Sequence, residues 1–469
     1  MSPENIEFNQ EEKRIESQSL VFKKELGLSD LVFTQILYVV GLTWIGVAAQ
    51  QGQAHVLLWL TAMILFYIPS AIVVTYLVKL MPLEGGLYQW AKLGFSEKIG
   101  FLVGWNLWVF AIIETSNIGL AITQFIGYLL PADYKALSED HWFIMSITIL
   151  IIGTLVIFSC IGLGLGKWVH KVGGIFLITI FFVIILLPFL RHYDPGRVYN
   201  PLKFQMPVLS LLTLNILAKL SFGALGGFEY VAIHAGECRN PVQSLSKSIL
   251  IASPIIAIMF ILGTASVLEL VGSKNVDLIA PSAQVLNKGF EPLGLGSTIA
   301  SLAILGILII RFAQASVQFG GNTRLPMVAG WDSLLPSWFS KLHTKYKTPV
   351  HSIVFVGVAT LLFAIMGSLG VSKQEAFQFL FNSSILIYGL TYIAMYCIPL
   401  FGLKKFYLKV PWWIKLLSAS CLLLTVLAVL FALIPIVQVE NRGMFAIKMI
   451  GVVIIINLIG MIIFLKSRK

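Results

Sequence analysis

The chain has 469 residues, of which 58% are hydrophobic and only 12% charged, about half the charge of a soluble domain. Stretches of roughly 20 apolar residues recur along the whole length, which excludes a soluble enzyme and leaves no room for a soluble domain between spans. The formal net charge of +11 invites a nucleic-acid partner, but the placement of the basic residues argues for a membrane instead.

Residues 1–24 are polar and are expected to form a disordered cytoplasmic tail. They carry no cleavable signal pattern, so the first apolar span should serve as the insertion signal. About twelve spans follow, over 28–50, 56–78, 99–130, 143–165, 172–190, 212–234, 248–271, 298–328, 350–367, 374–400, 412–436 and 445–464. The third and eighth run long, which implies tilt or extension beyond the bilayer. With the N-terminus inside, 22 of the 33 Lys and Arg residues fall in inner segments and 9 in outer loops. That asymmetry predicts both termini in the cytoplasm of a cell-membrane protein and accounts for the pI of 9.4 without nucleic acid. Trp412 and Trp413, beside Lys404, Lys405 and Lys409, read as an interfacial anchor.

Cys160, Cys238, Cys397 and Cys421 have neither metal nor redox spacing and are expected to be unpaired thiols. The seven histidines show no metal spacing either. No metal and no cofactor is expected. The run Gly162-Leu163-Gly164-Leu165-Gly166 lacks the strand and spacing of a nucleotide fingerprint and reads as a flexible turn.

Two spans are interrupted by glycine near their middles. The first carries Gly41-Leu42-Thr43-Trp44-Ile45-Gly46. The sixth carries Gly223, Gly226 and Gly227, then Glu229. A glycine inside a helix costs roughly 1 kcal/mol, and a carboxylate in lipid costs more, so both in one span point to a site. The two stretches lie five helices apart. Five is odd, so the second half would be inverted relative to the first, and glycine-broken spans at matching positions of inverted halves mark a transporter's binding site.

Three further stretches follow one pattern. Pro82-Leu83-Glu84-Gly85-Gly86-Leu87-Tyr88-Gln89-Trp90 precedes Gly100-Phe101 and Gly104-Trp105. Gly227-Phe228-Glu229 precedes Ala235-Gly236-Glu237-Cys238-Arg239-Asn240-Pro241. Asn322-Thr323-Arg324 precedes Leu335-Pro336 and Lys347-Thr348-Pro349. Over roughly residues 25–400 the chain resembles the amino acid–polyamine–organocation superfamily of secondary transporters, in particular its amino acid permeases.

The resemblance implies an all-α, LeuT-like fold. Ten core helices would form two inverted repeats of five, roughly 28–190 and 212–401, within a core over 25–401. Two peripheral helices would occupy 402–469. Helices one and six would be unwound and hold the substrate's amino and carboxylate groups. The matching positions here are Gly41, Leu42, Thr43 and Trp44, and Phe222, Gly223, Ala224, Leu225 and Gly226. Glu229 would serve gating and proton coupling. Two departures stand out. The tight Gly-x-Gly common in helix one is replaced by Gly41-Leu42-Thr43, and helix five has no lysine at its middle, where the sequence runs Gly173-Gly174-Ile175-Phe176-Leu177.

A broken helix offers N–H donors at one stub and carbonyls at the other. A zwitterion matches both, so on this reading no charged side chain is strictly needed. Ionisable groups inside the spans are nevertheless Glu114, Lys219, Glu229 and Arg311, and such groups usually face an interior path. Arg311, Gln314, Gln318 and Asn322 share one helix face. They line the cavity or hold helices together, with Arg311 also placed to neutralise Glu229 or Glu114. Glu114 is followed one turn later by Asn117, with Gln124 beyond, and reads as cavity-lining or structural. Lys219 is expected to snorkel outward. Trp44 and Phe222 flank the breaks, where they would pack or cover a substrate. Gly223 stands where some relatives place a bulky aromatic, so it enlarges the pocket or makes room for another side chain. His234 lies close enough in sequence to modulate Glu229.

The expected function is secondary active transport of an amino acid by alternating access, linked to protons. A polyamine or another organic cation is the alternative substrate. An intramembrane enzyme would need a nucleophile with a base, or clustered metal ligands, and the chain shows neither. A channel would show a repeated pore-lining element. The expected partners are a small-molecule substrate, protons and the lipid bilayer.

Overall fold

The computed structural model describes residues 10, 13–15, 17, 24–190, 202, 204–291, 296–368, 373–403, 409–434 and 442–468. Among them every regular element is a helix, and the single extended pairing is a parallel bridge between Leu26 and Cys238. Helix α1 (Leu28–Val39) stops at Val40, where the backbone turns extended, and α2 (Trp44–Ala49) resumes four residues later. A long span, Gly52–Leu80, contains one wide turn over Met63–Tyr67 and is α3. The short α4 (Leu87–Gly94) leads to α5 (Glu97–Ser116) and α6 (Ile118–Gly127), then α7 (His141–Ile161) and α8 (Leu163–Leu190).

The second part begins with α9 (Leu211–Lys219), which widens into a π turn over Leu220–Ala224 and then unwinds. The chain recovers as a 3-10 segment, Tyr230–Glu237. Helices α10 (Pro241–Leu270), α11 (Pro281–Phe290), α12 (Gly296–Asn322), α13 (Leu325–Trp331), α14 (Val350–Ser368), α15 (Lys373–Leu400), α16 (Trp412–Ala432) and α17 (Arg442–Ser467) follow.

Nine helices among the described residues are long and apolar enough to cross a membrane, and three shorter apolar ones accompany them. Two of the short ones, Leu28–Val39 and Leu211–Ala224, are the stubs that end at the glycine interruptions. Large apolar side chains such as Leu150, Leu250, Leu362 and Ile455 face outward and are exposed. A surface of that kind needs a lipid environment.

Several expectations are corrected. The turn at Gly162–Gly166 is a single residue: Gly162 has φ +104, and α8 starts directly after it. One glycine in the left-handed region is enough to end α7, and the glycines beyond it take helical backbone. The long third span is present as Glu97–Gly127, with a turn at Asn117 where α5 passes into α6. Lys219 does not snorkel. Its side chain is fully buried, and its Nζ donates to the Ile434 carbonyl at 3.2 Å. The amino-terminal tail is ordered at residues 13–15. Ile15 is fully buried, and Arg14 pairs with Asp332 at 2.5 Å. Asp332 also accepts from Lys92 at 2.7 Å and from the Tyr88 hydroxyl, so the tail is tied to α4 and to the segment after α13. The rest of residues 1–23, apart from 10 and 17, lies outside the described residues, as do Lys404 and Lys405 of the expected anchor; Trp412 of that anchor is exposed.

Small residues set the closest helix approaches around the core. A Cβ on Gly173 of α8 would lie 2.2 Å from the Ala313 Cβ on α12. The run Gly173-Gly174 on helix five is therefore a contact surface. Replacing Gly173 with leucine forces α8 and α12 apart. The variant should unfold in detergent with a loss of about 1–3 kcal/mol, the usual cost of overpacking, measured against wild type by thermal denaturation.

Candidate functional site

The two interruptions, over 40–43 and 225–229, face each other around a cavity of about 180 Å³. α1 supplies Tyr38 and Val39, the first break Gly41 and Thr43, and α2 Trp44. The π turn before the second break supplies Phe222 and Gly223, and the break itself Gly226. α5 and α6 contribute Phe110, Glu114, Thr115, Ile118 and Ala121, with Asn117 between them. Arg311, Gln314, Ala315 and Gln318 come from α12, and Phe381, Ser384, Ile385 and Tyr388 from α15.

Eleven of the residues singled out in the sequence thus lie on one cavity. Leu42, Ala224 and Leu225 do not line it; each is fully buried in the surrounding packing. Asn322, the last member of the α12 stripe, lies beyond the cavity and is also fully buried.

Glu229 does not touch the cavity. It is fully buried, and its two carboxylate oxygens accept from the hydroxyls of Tyr388 and Tyr392. Tyr388 also lines the cavity, so one residue joins Glu229 to the cavity wall. Tyr392 reaches the break as well, because its hydroxyl oxygen accepts from the Gly227 N–H at 2.5 Å. The Gly227 carbonyl accepts from Gln35 Nε2 at 3.3 Å. Gly227 has φ +115, and a Cβ there would lie 2.5 Å from the Tyr38 ring. Only glycine meets both demands.

The first break is tied from α12. Gln314 Nε2 donates to the Leu37 carbonyl at 3.0 Å and to the Val40 carbonyl at 2.7 Å. These are orphan acceptors at the end of α1. Arg311 donates to Thr43 Oγ1 at 3.0 Å and to Gln314 Oε1 at 3.4 Å, with its guanidinium 5.2 Å from the Phe125 ring centroid.

Aromatic rings form the remaining walls. Phe110 stacks on Tyr388 at 3.9 Å, and Trp44 meets Phe381 at 5.2 Å. Tyr38, Phe110, Phe381, Ser384 and Tyr388 were not singled out in the sequence. Phe110 and Phe381 sit in ordinary apolar runs. A signal existed on α15, where Ser384, Tyr388, Tyr392 and Tyr396 recur every four residues and so share one face.

The family model for amino acid permeases matches residues 26–459. The chain belongs to the amino acid permease family. An uncharacterised transporter of Legionella pneumophila is 24% identical to the permease, covering 80% of each chain. The aspartate/glutamate permease AcaP of Lactococcus lactis is 21% identical, covering 82% of this chain and 83% of its own. The polyamine transporter PUT1 of rice is 23% identical, covering 76% of this chain and 65% of its own. The permease is a multi-pass membrane protein of a transporter family.

Gly223 of the permease makes room for another side chain. A Cβ there would lie 2.5 Å from Trp44 Cη2, so the indole carried by the first break fills the space beside the second.

His234 pairs with Glu237, not with Glu229. Its Nδ1 is 2.7 Å from Glu237 Oε2, and Arg324 donates to Glu237 Oε1 at 2.9 Å. Glu237 is accordingly more than a turn residue. It is buried past the apolar stub, where Leu26 N–H donates to its carbonyl at 3.1 Å and Arg239 N–H to the Leu26 carbonyl at 3.2 Å. Burial works to raise the Glu237 carboxyl, but the Arg324 guanidinium and His234 outweigh it and hold the group below its ordinary 4.5. A depressed carboxyl stabilises the fold above its unfolded value and loses that contribution as pH falls. The permease should therefore lose thermal stability as pH falls below about 4.5. Glu237→Gln should flatten that loss and cost about 3–5 kcal/mol at neutral pH, because Arg324 is left buried and unpaired. Melting curves of both proteins across this range check it; parallel curves would remove the ion pair from the acid response.

Proposed function

We propose that this permease moves a small amino-group-bearing solute, an amino acid in the first instance, by alternating access and in exchange for or together with protons. The observation that carries the reading is the cavity on which both helix interruptions converge. Irregular backbone at membrane depth survives only where it lines a cavity or packs against protein, and glycine-broken helices around a mid-chain cavity belong to secondary transporters. On this reading the chain crosses the membrane twelve times, as two inverted halves over 28–190 and 212–401 with two further helices after them. The excess of Lys and Arg in the segments read as inner supports a cell-membrane protein with both termini in the cytoplasm.

Proton linkage is assigned to Glu229. The carboxylate lies off the cavity but is bonded to a residue of its wall, Tyr388, and it holds the second break through Tyr392 and Gly227. A change of its charge is thereby felt at the backbone of the site. Glu114 has the cavity for its neighbour and is the second candidate for a proton-linked carboxyl.

The test is a thermal-shift screen of the purified permease against amino acids and polyamines, followed by uptake of the hits into proteoliposomes with and without an imposed pH gradient. A ligand that binds only the folded form raises the apparent melting temperature. Stabilisation by at least one amino acid, with uptake that follows the pH gradient, is expected. Stabilisation by polyamines alone favours the organic-cation reading, and no response to either class rejects transport of amino-group-bearing solutes.

A further inference from the structure

We propose that charged side chains beside the two breaks read the charges of the substrate: Arg311 with Thr43 takes its carboxylate, and Glu114 with Asn117 takes its ammonium. The proposal rests on the transporter reading above and narrows its substrate to a zwitterionic α-amino acid.

Several of the backbone groups that a broken helix leaves open are already occupied here. Gln314 already donates to the Leu37 and Val40 carbonyls at the end of α1, which are the acceptors an ammonium would seek. At the second break, Tyr392 takes the Gly227 N–H, and Gln35 takes its carbonyl. The N–H groups of Leu225 and Gly226 turn back to the Leu220 and Phe222 carbonyls at 3.2 and 3.1 Å. α2, which would present N–H donors to a carboxylate, spans only 6 residues and follows Gly41-Leu42-Thr43 rather than a tight glycine pair.

Charged side chains stand beside these groups on the same cavity. Arg311 lines the cavity beside the first break. Its partners there, Thr43 and Gln314, are neutral, and its Nε has none. A guanidinium carries five N–H donors in a fork that matches a carboxylate, so it has donors to spare. Glu114 lines the same cavity. One turn on, Asn117 is 5% exposed, and its Oδ1 has no partner. The two are acceptors that suit an ammonium. Among the described ion pairs none joins Arg311 to Glu114, although each feels the other's charge. A zwitterion between them satisfies both. A polyamine offers Arg311 only a second cation, and a dicarboxylate without an amino group leaves Glu114 unmatched.

The test uses the purified full-length protein and three probe sets: the L-amino acids, their α-amides, and putrescine with spermidine. Wild type should bind at least one amino acid roughly tenfold or more tightly than the matching α-amide, the scale of one charge-assisted contact. Arg311→Gln should weaken the amino acid by a similar factor and leave the amide within about threefold. Arg311→Lys, which keeps the charge without the fork, should fall between them. Glu114→Gln should weaken the amino acid but not its deaminated carboxylic acid. An amide bound as tightly as its acid by wild type, or equal weakening of acid and amide by Arg311→Gln, overturns the proposal. If polyamines bind and no amino acid does, the proposal falls while transport of an amino-group-bearing solute stands. If no probe binds, both fall.

Discussion

Glu229→Gln is expected to abolish transport, or to strip it of its pH dependence, while the protein is still made and still folds. The substitution keeps the shape of the side chain and replaces one acceptor oxygen with an N–H₂ donor. Both carboxylate oxygens now accept from tyrosine hydroxyls, so one of those hydroxyls must turn. Tyr392 cannot turn without consequence, because its oxygen already accepts the Gly227 N–H. The network is therefore left with a mismatched buried pair, at a cost of about 1–3 kcal/mol. That is small against loss of the whole fold but large for the local geometry of the second break. Uptake in proteoliposomes, measured across pH alongside a melting curve, decides the matter. Normal uptake with unaltered pH dependence would sink the role assigned to this carboxylate.

Gly227→Ala is expected to be strongly damaging for a single added methyl. An alanine at φ +115 is strained by about 1–3 kcal/mol. Its Cβ would also overlap the Tyr38 ring at 2.5 Å, adding about 1–3 kcal/mol of overpacking. Tyr38 stacks on Tyr230 at 4.2 Å, so the ring has little room to retreat. The variant should melt well below wild type and lose ligand-induced stabilisation. A melting temperature close to that of wild type, with ligand response intact, would show that the second break has another conformation available at little cost.

The broken helices were legible in the sequence because glycine and a carboxylate in an apolar run have few bland explanations. The polar stripe on α12 was legible for a similar reason: Arg311, Gln314 and Gln318 are costly in lipid and share one face. What was not legible was the partner of each group. His234 is five residues from Glu229 but pairs with Glu237, because the 3-10 turn after the break points it toward Arg324. Lys219 read as a residue that reaches the surface, yet it ends on the Ile434 carbonyl at the end of α16, some two hundred residues away in the chain. Ala224 and Leu225 sit at the break but turn away from the cavity, since an unwound segment has no fixed period from which to read a face. Phe110 and Phe381 were hidden for the opposite reason: an aromatic ring in a membrane helix carries no mark that separates wall from core.

The contact of Trp44 with Gly223 has a consequence for how this family can vary. The two positions share one volume, so a large ring can be supplied by either broken helix but not by both. Across related permeases, side-chain size at these two sites should be anticorrelated. A protein in which Gly223 has become phenylalanine while Trp44 has become glycine should tolerate the pair far better than the Gly223 change alone. Inheritance at this cavity would then act on a sum rather than on two independent residues, and the surplus of the double variant over its parts measures how strictly that sum is kept.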